Sequence, residues 1–328
     1  MIKKLLIPID DSLFTVSFIS ESLDLAEQLS CSVVFLHINS NQNSLYGDAE
    51  FIHVQDPQKY DDMYLLSGIA LLMKAEGAAK VKDIKVDSII SNKLGSITKQ
   101  VNEEATDNDV DLIVVAGHHK SSLLTKLMKS VSLKVIINSP ISCLRLVPGL
   151  EVDTKQGQVV SRVMGNQWMF VALLYALQNY YTNYADKRAD EKHDEELLSK
   201  APALLLELLK VQGLFDSMLY NVLQGANIKH LKEKLTKQQV FEASVISIFK
   251  RPLALGEAKV NIDNVVNNIN NGIQLIKGHI QITQNELLPI SQKTLSEADW
   301  ERFESSMFNN KVGFVQEKIE HEYKVLIN

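Results

Sequence analysis

The chain is poor in cysteine. Only Cys31 and Cys143 occur in its 328 residues, each inside an apolar run that reads as a strand. Two isolated thiols of this kind exclude a disulfide framework or a thiolate metal site and point to a reducing compartment, so a cytoplasmic location is expected. The sequence also lacks any uninterrupted apolar run of the ~20 residues that a bilayer span needs. Its nearest approach, WMFVALLYAL, is too short, so no membrane association is expected. The opening MIKKLLIPID has a basic pair but only a brief apolar stretch and no small-residue cleavage site, which argues against a signal peptide. Positive charge is in deficit, 34 Lys and Arg against 40 Asp and Glu for a net charge of -6, so a general phosphate-backbone binder, and with it nucleic acid, is not expected.

What is present is a globular composition, 45% hydrophobic and 23% charged, in a chain long enough for two domains. Up to about residue 148 short β-branched runs alternate with amphipathic helical windows, the pattern of a parallel sheet wrapped by helices. The runs LLIPI, SVVFLHI, KVDSII, DLIVVA and ISCLRLV predict five strands. In the last window before the fifth, Leu124, Leu127, Met128, Val131 and Val135 recur at helical spacing and form one core-facing stripe. The expected fold is α/β, a five-stranded parallel flavodoxin-like or Rossmann-like sheet over residues 1–148. A linker is expected at 149–160, and an all-α helical bundle over 161–328, with helices at 162–185, 192–212, 214–228, 231–250, 258–288 and 296–326. The last is opened by Ser296 in SEADWERF, a residue able to cap the helix.

An open sheet of this kind takes ligands beyond the carboxyl ends of its strands, where the strand order reverses. The first strand runs out at Asp10 and the fourth at Gly117, so these residues are placed to border that crevice. VAGHHKSSLLTKLMKSVS begins like a phosphate loop, with strand, glycine and helix, and then shows no further glycine. The plain readings are that His118 and His119 form a polar loop at a strand end, that Asp10, Asp11 and Ser12 cap the following helix, and that Ser130 is an ordinary helix residue.

With the strands placed, KKLLIPIDDSLFTVSFISESLDLAEQL, VVFLHINSNQNSLYG, DVDLIVVAGHHKS and the final LVP together resemble a universal stress protein domain over residues 1–148. In members that bind ATP the resemblance implies an aspartate ending the first strand, a backbone contact after the second, and G-x-x-G, nine residues, G-S/T after the fourth. Asp10 and Ile38 fill the first two places and Gly117 opens the third. Lys120 stands where the second glycine belongs, and counting on gives Ser130 and Val131. Those glycines matter because backbone N–H groups must approach phosphate oxygens closely, often at positive φ. The pattern is closer to the branch similar to universal stress protein A, which lacks the motif and is not expected to bind ATP. The degenerate crevice, then, comprises Asp10, Ile38, Gly117, His118, Lys120 and Ser130, with no cofactor favoured and ATP or AMP as the alternative.

In the second half, GHIQITQNELLPISQKTLSEADWERFESSMFNN resembles the closing helix pair of a hemerythrin-like cation-binding domain, through His279, Leu287, Leu288, Pro289 and Trp300. Where that family's pattern has paired glutamates, this chain has Thr283 and Gln284. The earlier helices offer Gln167, Asp216 with Ser217, and Gln239 where ligands would stand. Glutamine cannot replace the negative charge of a bridging carboxylate. The reading is a bundle that has lost its metal, with His279 as a possible remnant ligand. The expected function is a non-catalytic stress-response protein acting through an unidentified protein partner and through homodimerisation along the last strand, residues 141–147. A nucleotide sensor and a metal-dependent redox or oxygen-sensing protein are the alternatives.

Overall fold

A computed structural model describes residues 2–10, 15–39, 57–117, 131–148, 154–186, 191–223, 226–248 and 262–309. The chain divides into two compact units, Met1–Val152 and Asp153–Asn328.

In the first unit the order is β1 (Lys4–Pro8), α1 (Thr15–Leu29), β2 (Ser32–Ile38), α2 (Pro57–Val81), β3 (Val86–Ser91), α3 (Ile97–Asp107), β4 (Leu112–Ala116), α4 (Val131–Asn138) and β5 (Ser142–Leu146). The strands form one all-parallel sheet in the order β3-β2-β1-β4-β5. Sequence order reverses between β1 and β4, which fixes the crevice beyond their carboxyl ends. The five strands coincide with the five apolar runs of the sequence to within a residue or two. Both faces of the central strands β1, β2 and β4 are buried, as in parallel sheets generally. On one face Leu6, Val34, Leu36, Ile113 and Val115 pack with Val101 and Ala105 of α3 and Val135 of α4, each such burial contributing ~1.5–3 kcal/mol. Helices α1 and α2 lie against β1, β2 and β3. The stripe expected through Leu124, Leu127 and Met128 lies outside the described residues; of its remaining members Val135 is buried and Val131 is 41% exposed.

The opposite rim of the sheet is built from one repeated corner. Ser30, Asp83 and Asp109 follow α1, α2 and α3 with φ of 51°, 55° and 51°. In each case the next N–H reaches back five residues, Cys31 to Ala26, Ile84 to Ala79 and Val110 to Ala105, which closes the helix as a Schellman turn. An L residue in the left-handed region is strained where glycine is not. Replacing Ser30 by glycine is therefore expected to stabilise the first unit by ~0.5–1 kcal/mol, measurable as a shift in its denaturation midpoint.

In the second unit α5 (Lys155–Asp186), α6 (Glu191–Val222), α7 (Ala226–Ile248) and α8 (Ile262–Ile282) pack in a closed ring, each against its two neighbours. A π turn, Thr283–Leu287, continues α8 into α9 (Leu288–Thr294), and α10 (Glu297–Asn309) packs on α5 and α6. Three expectations need correction. The two helices expected at 192–212 and 214–228 are one through Gly213, because Leu208, Val211, Phe215 and Leu219 continue a single buried stripe whose burial exceeds the ~1 kcal/mol cost of a helical glycine. Pro289 does not stop the chain of helices: the π turn before it leaves the Leu288 N–H bonded to Thr283 O, and the proline sits in the first turn of α9, where its missing N–H costs nothing. Finally, α5 begins at Lys155, inside the stretch expected as linker. The last expected helix is described only to Asn309. Its start is as expected: Ser296 Oγ accepts from Asp299 N–H (3.3 Å), while the Asp299 carboxylate accepts from the Ser296 hydroxyl (2.6 Å) and from Ser296 N–H (3.0 Å), which together hold that carboxyl below the usual range.

No helix among the described residues is long and apolar enough to cross a membrane. Both cysteines are free thiols, Cys31 buried and Cys143 only half-buried.

Candidate functional site

The crevice at the carboxyl ends of β1 and β4 is where ligand chemistry would be expected. Asp10, directly after Ile9 at the end of β1, is exposed, and its backbone carbonyl accepts the Thr15 hydroxyl at the start of α1. Ile38 ends β2 half-buried, in register with Ser91 of β3, and packs against the core. Gly117 is buried, and its N–H donates to Leu146 O at 2.7 Å. His118, Lys120 and Ser130 lie outside the described residues.

Gly117 shows why a glycine stands there. A Cβ at this position would meet Arg145 Nε at 2.6 Å, Val147 Cγ2 at 2.8 Å and Arg145 Cγ at 3.0 Å. The space beside the Gly117 Cα is filled from β5, and the Gly117 N–H is spent in the sheet ladder. Neither Arg145 nor His37 stood out in the sequence. His37, one residue before Ile38, sets its Nδ1 3.3 Å from Ile9 O and lays its ring against α2, where a Cβ on Gly68 would fall 2.4 Å from His37 Cδ2. Their signal was only the phase of the strands: residues 115, 117, 145 and 147 share one face because β4 and β5 pair Val115 with Arg145. Gly68→Ala is expected to destabilise the first unit by ~1–3 kcal/mol, since the ring it displaces is held by Ile9 O.

The family model described as Universal stress protein family matches residues 1–146. Those residues form a universal stress protein domain. Among solved structures, a universal stress protein family member from Burkholderia pseudomallei is 15% identical, with 44% of this chain and 95% of that chain covered and a TM-score of 0.35. A universal stress protein in complex with cAMP is 18% identical over 45% of this chain and 98% of that one, TM-score 0.31. The universal stress protein from Archaeoglobus fulgidus in complex with dAMP is 13% identical over 44% and 98%, TM-score 0.32. No curated protein matches the chain.

Beyond the universal stress protein domain, the helical unit holds the most polar interior of the molecule. His279 on α8 is buried between two buried carboxylates, with Nε2 3.0 Å from Asp216 Oδ2 of α6 and Nδ1 3.2 Å from Glu242 Oε1 of α7. Asp216 also accepts from Gln212 Nε2 (3.0 Å) and Gln239 Nε2 (2.6 Å). The chain of amides runs on: Gln167 of α5 donates to Gln212 Oε1 at 3.1 Å, and Gln284 in the π turn donates to Gln167 Oε1 at 3.2 Å. The structure thus brings together Gln167, Asp216, Gln239, His279 and Gln284 from the sequence-derived set, and leaves Ser217 exposed and Thr283 buried with its hydroxyl unpartnered among the described residues. It adds Gln212 and Glu242, which sequence reasoning passed over although each lies one helical turn from a residue already singled out, Gln212 four before Asp216 and Glu242 three after Gln239.

Two acceptors on one imidazole can both be satisfied only if the ring carries two protons. Burial alone would push the imidazolium down, but the hydrogen bonds to Asp216 and Glu242 outweigh it and raise His279 from 6.5 to about 10. A raised folded pKa means stability that is fully present below 6.5 and is lost as pH rises toward 10. Both tryptophans, Trp168 and Trp300, are buried in this unit, so their fluorescence isolates it. Unfolding midpoints read by that fluorescence are expected to fall steadily from pH 7 to pH 10, and the slope is expected to vanish in His279→Gln. Tyr220, one turn beyond Asp216, has its own pKa raised by burial and by that carboxylate.

Each donor in this array is already engaged by another side chain. Among the described residues no group of three or more His, Cys, Asp or Glu is arranged to hold a metal ion.

Proposed function

We propose that the chain is a non-catalytic stress-response protein that works through self-association and through a protein partner. Its first unit belongs to the branch similar to universal stress protein A, and its helical unit is a hemerythrin-like bundle whose metal ligands have been replaced by a hydrogen-bonded array. The observation that carries this reading is the crowding at Gly117, where Arg145 and Val147 fill the space beside its Cα. The Gly117 amide, bonded to Leu146 O, is not available to a phosphate. Addition of ATP or AMP at millimolar concentration is expected to leave the calorimetric melting of the first unit unchanged. A rise of several degrees would establish the nucleotide-sensing alternative, since a ligand that binds only the native state stabilises it by mass action. That alternative draws its support from Asp10, which lies exposed at the strand end next to the reversal of strand order.

Self-association is assigned to β5. It is an edge strand, and Leu144 on it is 37% exposed. An open edge with apolar side chains is a template for pairing with a second copy. Leu144→Asp is expected to convert a dimer to a monomer in light scattering while leaving the circular dichroism spectrum intact; a wild-type chain that is monomeric at high micromolar concentration removes the dimer from the proposal.

A further inference from the structure

The apolar pattern of α8 does not determine how far along its neighbours the helix should sit. Its core-facing isoleucines are Ile269, Ile273, Ile276 and Ile280, each at most 2% exposed. Their spacing of four, three and four means that a slide by four residues carries Ile269 to the place of Ile273 and Ile276 to that of Ile280. A slide by seven carries Ile269 to Ile276 and Ile273 to Ile280. Hydrophobic burial therefore discriminates only weakly between these registers: a slide of seven refills all four places, with Ile262, Val266, Ile269 and Ile273, and a slide of four loses one of them, where Gly272 falls at the place of Ile276. Such near-repeats are what allow helices in bundles to adopt alternative offsets.

The polar array is not indifferent. All four helices contribute to it: Gln167 from α5, Gln212 and Asp216 from α6, Gln239 and Glu242 from α7, and His279 from α8. Gln284 joins from the π turn. On a regular α-helix a residue five positions beyond His279 would stand about 140° away from it. Gln284 lies in the wider π turn and there reaches Gln167. A slide of one turn would put Leu275 or Thr283 at the place of His279, leaving two buried carboxylates, Asp216 and Glu242, without the ring that joins them. Removal of one partner from a buried ionic group costs far more than any register difference the isoleucines could offset.

We propose that the array, from Gln284 through Gln167, Gln212 and Asp216 to His279 and Glu242, is a register lock that selects one axial offset of α8 against α5, α6 and α7. Net stability over an all-apolar interior is not its contribution. Buried ionic groups replaced together by apolar side chains of similar volume commonly leave a fold as stable or more so. What is lost is the penalty on the wrong offsets.

The hydrogen bonds Gln178 to Asn270 and Gln284 to Gln167 show that α5 and α8 run antiparallel. Spin labels at Arg162 on α5 and Asn267 on α8, both exposed, therefore stand roughly 30 Å apart along the axis at 1.5 Å per residue. In the full chain with Cys31 and Cys143 replaced by alanine, the distance distribution between them is expected to be single and narrow. Two variants test the lock, Asp216→Leu/Glu242→Leu/His279→Leu, and the same three with Gln167→Leu and Gln212→Leu. Each is expected to stay helical, with an unfolding midpoint at or above that of the parent, and to show a second distance displaced by about 5–6 Å, one helical turn, or a distribution broadened by that amount. A single unchanged distance in either folded variant overturns the proposal. So does failure of both to fold, because the array would then supply stability rather than register.

Discussion

His279→Leu is expected to be the most damaging single substitution in the helical unit, costing ~3–5 kcal/mol. The ring is the shared partner of Asp216 and Glu242, both at most 2% exposed. A leucine of comparable size fills the space and donates nothing, so a buried carboxylate remains on either side of it. The molecule can respond only by protonating one of them or by admitting water. Urea denaturation followed through Trp168 and Trp300 is expected to show the midpoint fall by most of this amount at pH 7. The variant should also lose the parent's fall in midpoint between pH 7 and 10, and instead gain stability as the pH drops into the acid range, where the unpaired buried carboxylates take up protons. A loss below about 1 kcal/mol, the size of an ordinary neutral hydrogen bond, would mean that the ring is not the keystone of the array. His279→Leu is costly because it removes one partner, whereas the combined replacement removes all three; the two results together separate a pairing effect from a packing effect.

The second large effect is expected at Trp300, where alanine should cost ~3–5 kcal/mol. Trp300 is 1% exposed on α10, its ring 6.0 Å from Phe303, which in turn meets Phe215 of α6 edge-on at 5.2 Å. These rings are the attachment of α10 to the four-helix ring. Loss of the indole opens a cavity that the ends of three elements cannot close. Its Nε1 is buried with no partner among the described residues, so Trp300→Phe is expected to lose far less than Trp300→Ala, the smaller ring being partly offset by removal of an unsatisfied donor. Equal losses in the two variants would show that the N–H is bonded after all. Thermal unfolding read by circular dichroism at 222 nm compares the three chains without relying on the missing fluorophore.

The three central strands were legible in the sequence because β1, β2 and β4 are buried on both faces, so LLIPI, SVVFLHI and DLIVVA announce themselves as apolar runs whatever their partners. The ends of β1 and β4, and with them Asp10 and Gly117, followed from the same reading. What could not be read was the reason for the glycine: the contact with Arg145 crosses from β4 to β5, and no local spacing encodes it. The helical unit behaved in the opposite way. Its breaks were misjudged at Gly213 and Pro289, where local propensity is strong and long-range packing decides. Yet five members of the buried array were singled out, because His279 fits the hemerythrin-like pattern and Gln167, Asp216, Gln239 and Gln284 stand where that pattern would have metal ligands. Glu242 escaped because a glutamate on a charged helix such as α7 looks like surface until the fold turns it inward.

The repeated corner at Ser30, Asp83 and Asp109 gives the sheet two unlike margins. One margin is standardised, a single turn geometry used three times, and a change there should register only as a difference in folding free energy. The other margin is made of individual solutions, His37 against Gly68 and Arg145 against Gly117, where a change alters shape and charge at a mouth that faces solvent. Sequence drift in proteins built on this plan should therefore be conservative in kind along the first margin and idiosyncratic along the second, and peptide insertions meant to leave recognition untouched belong on the first.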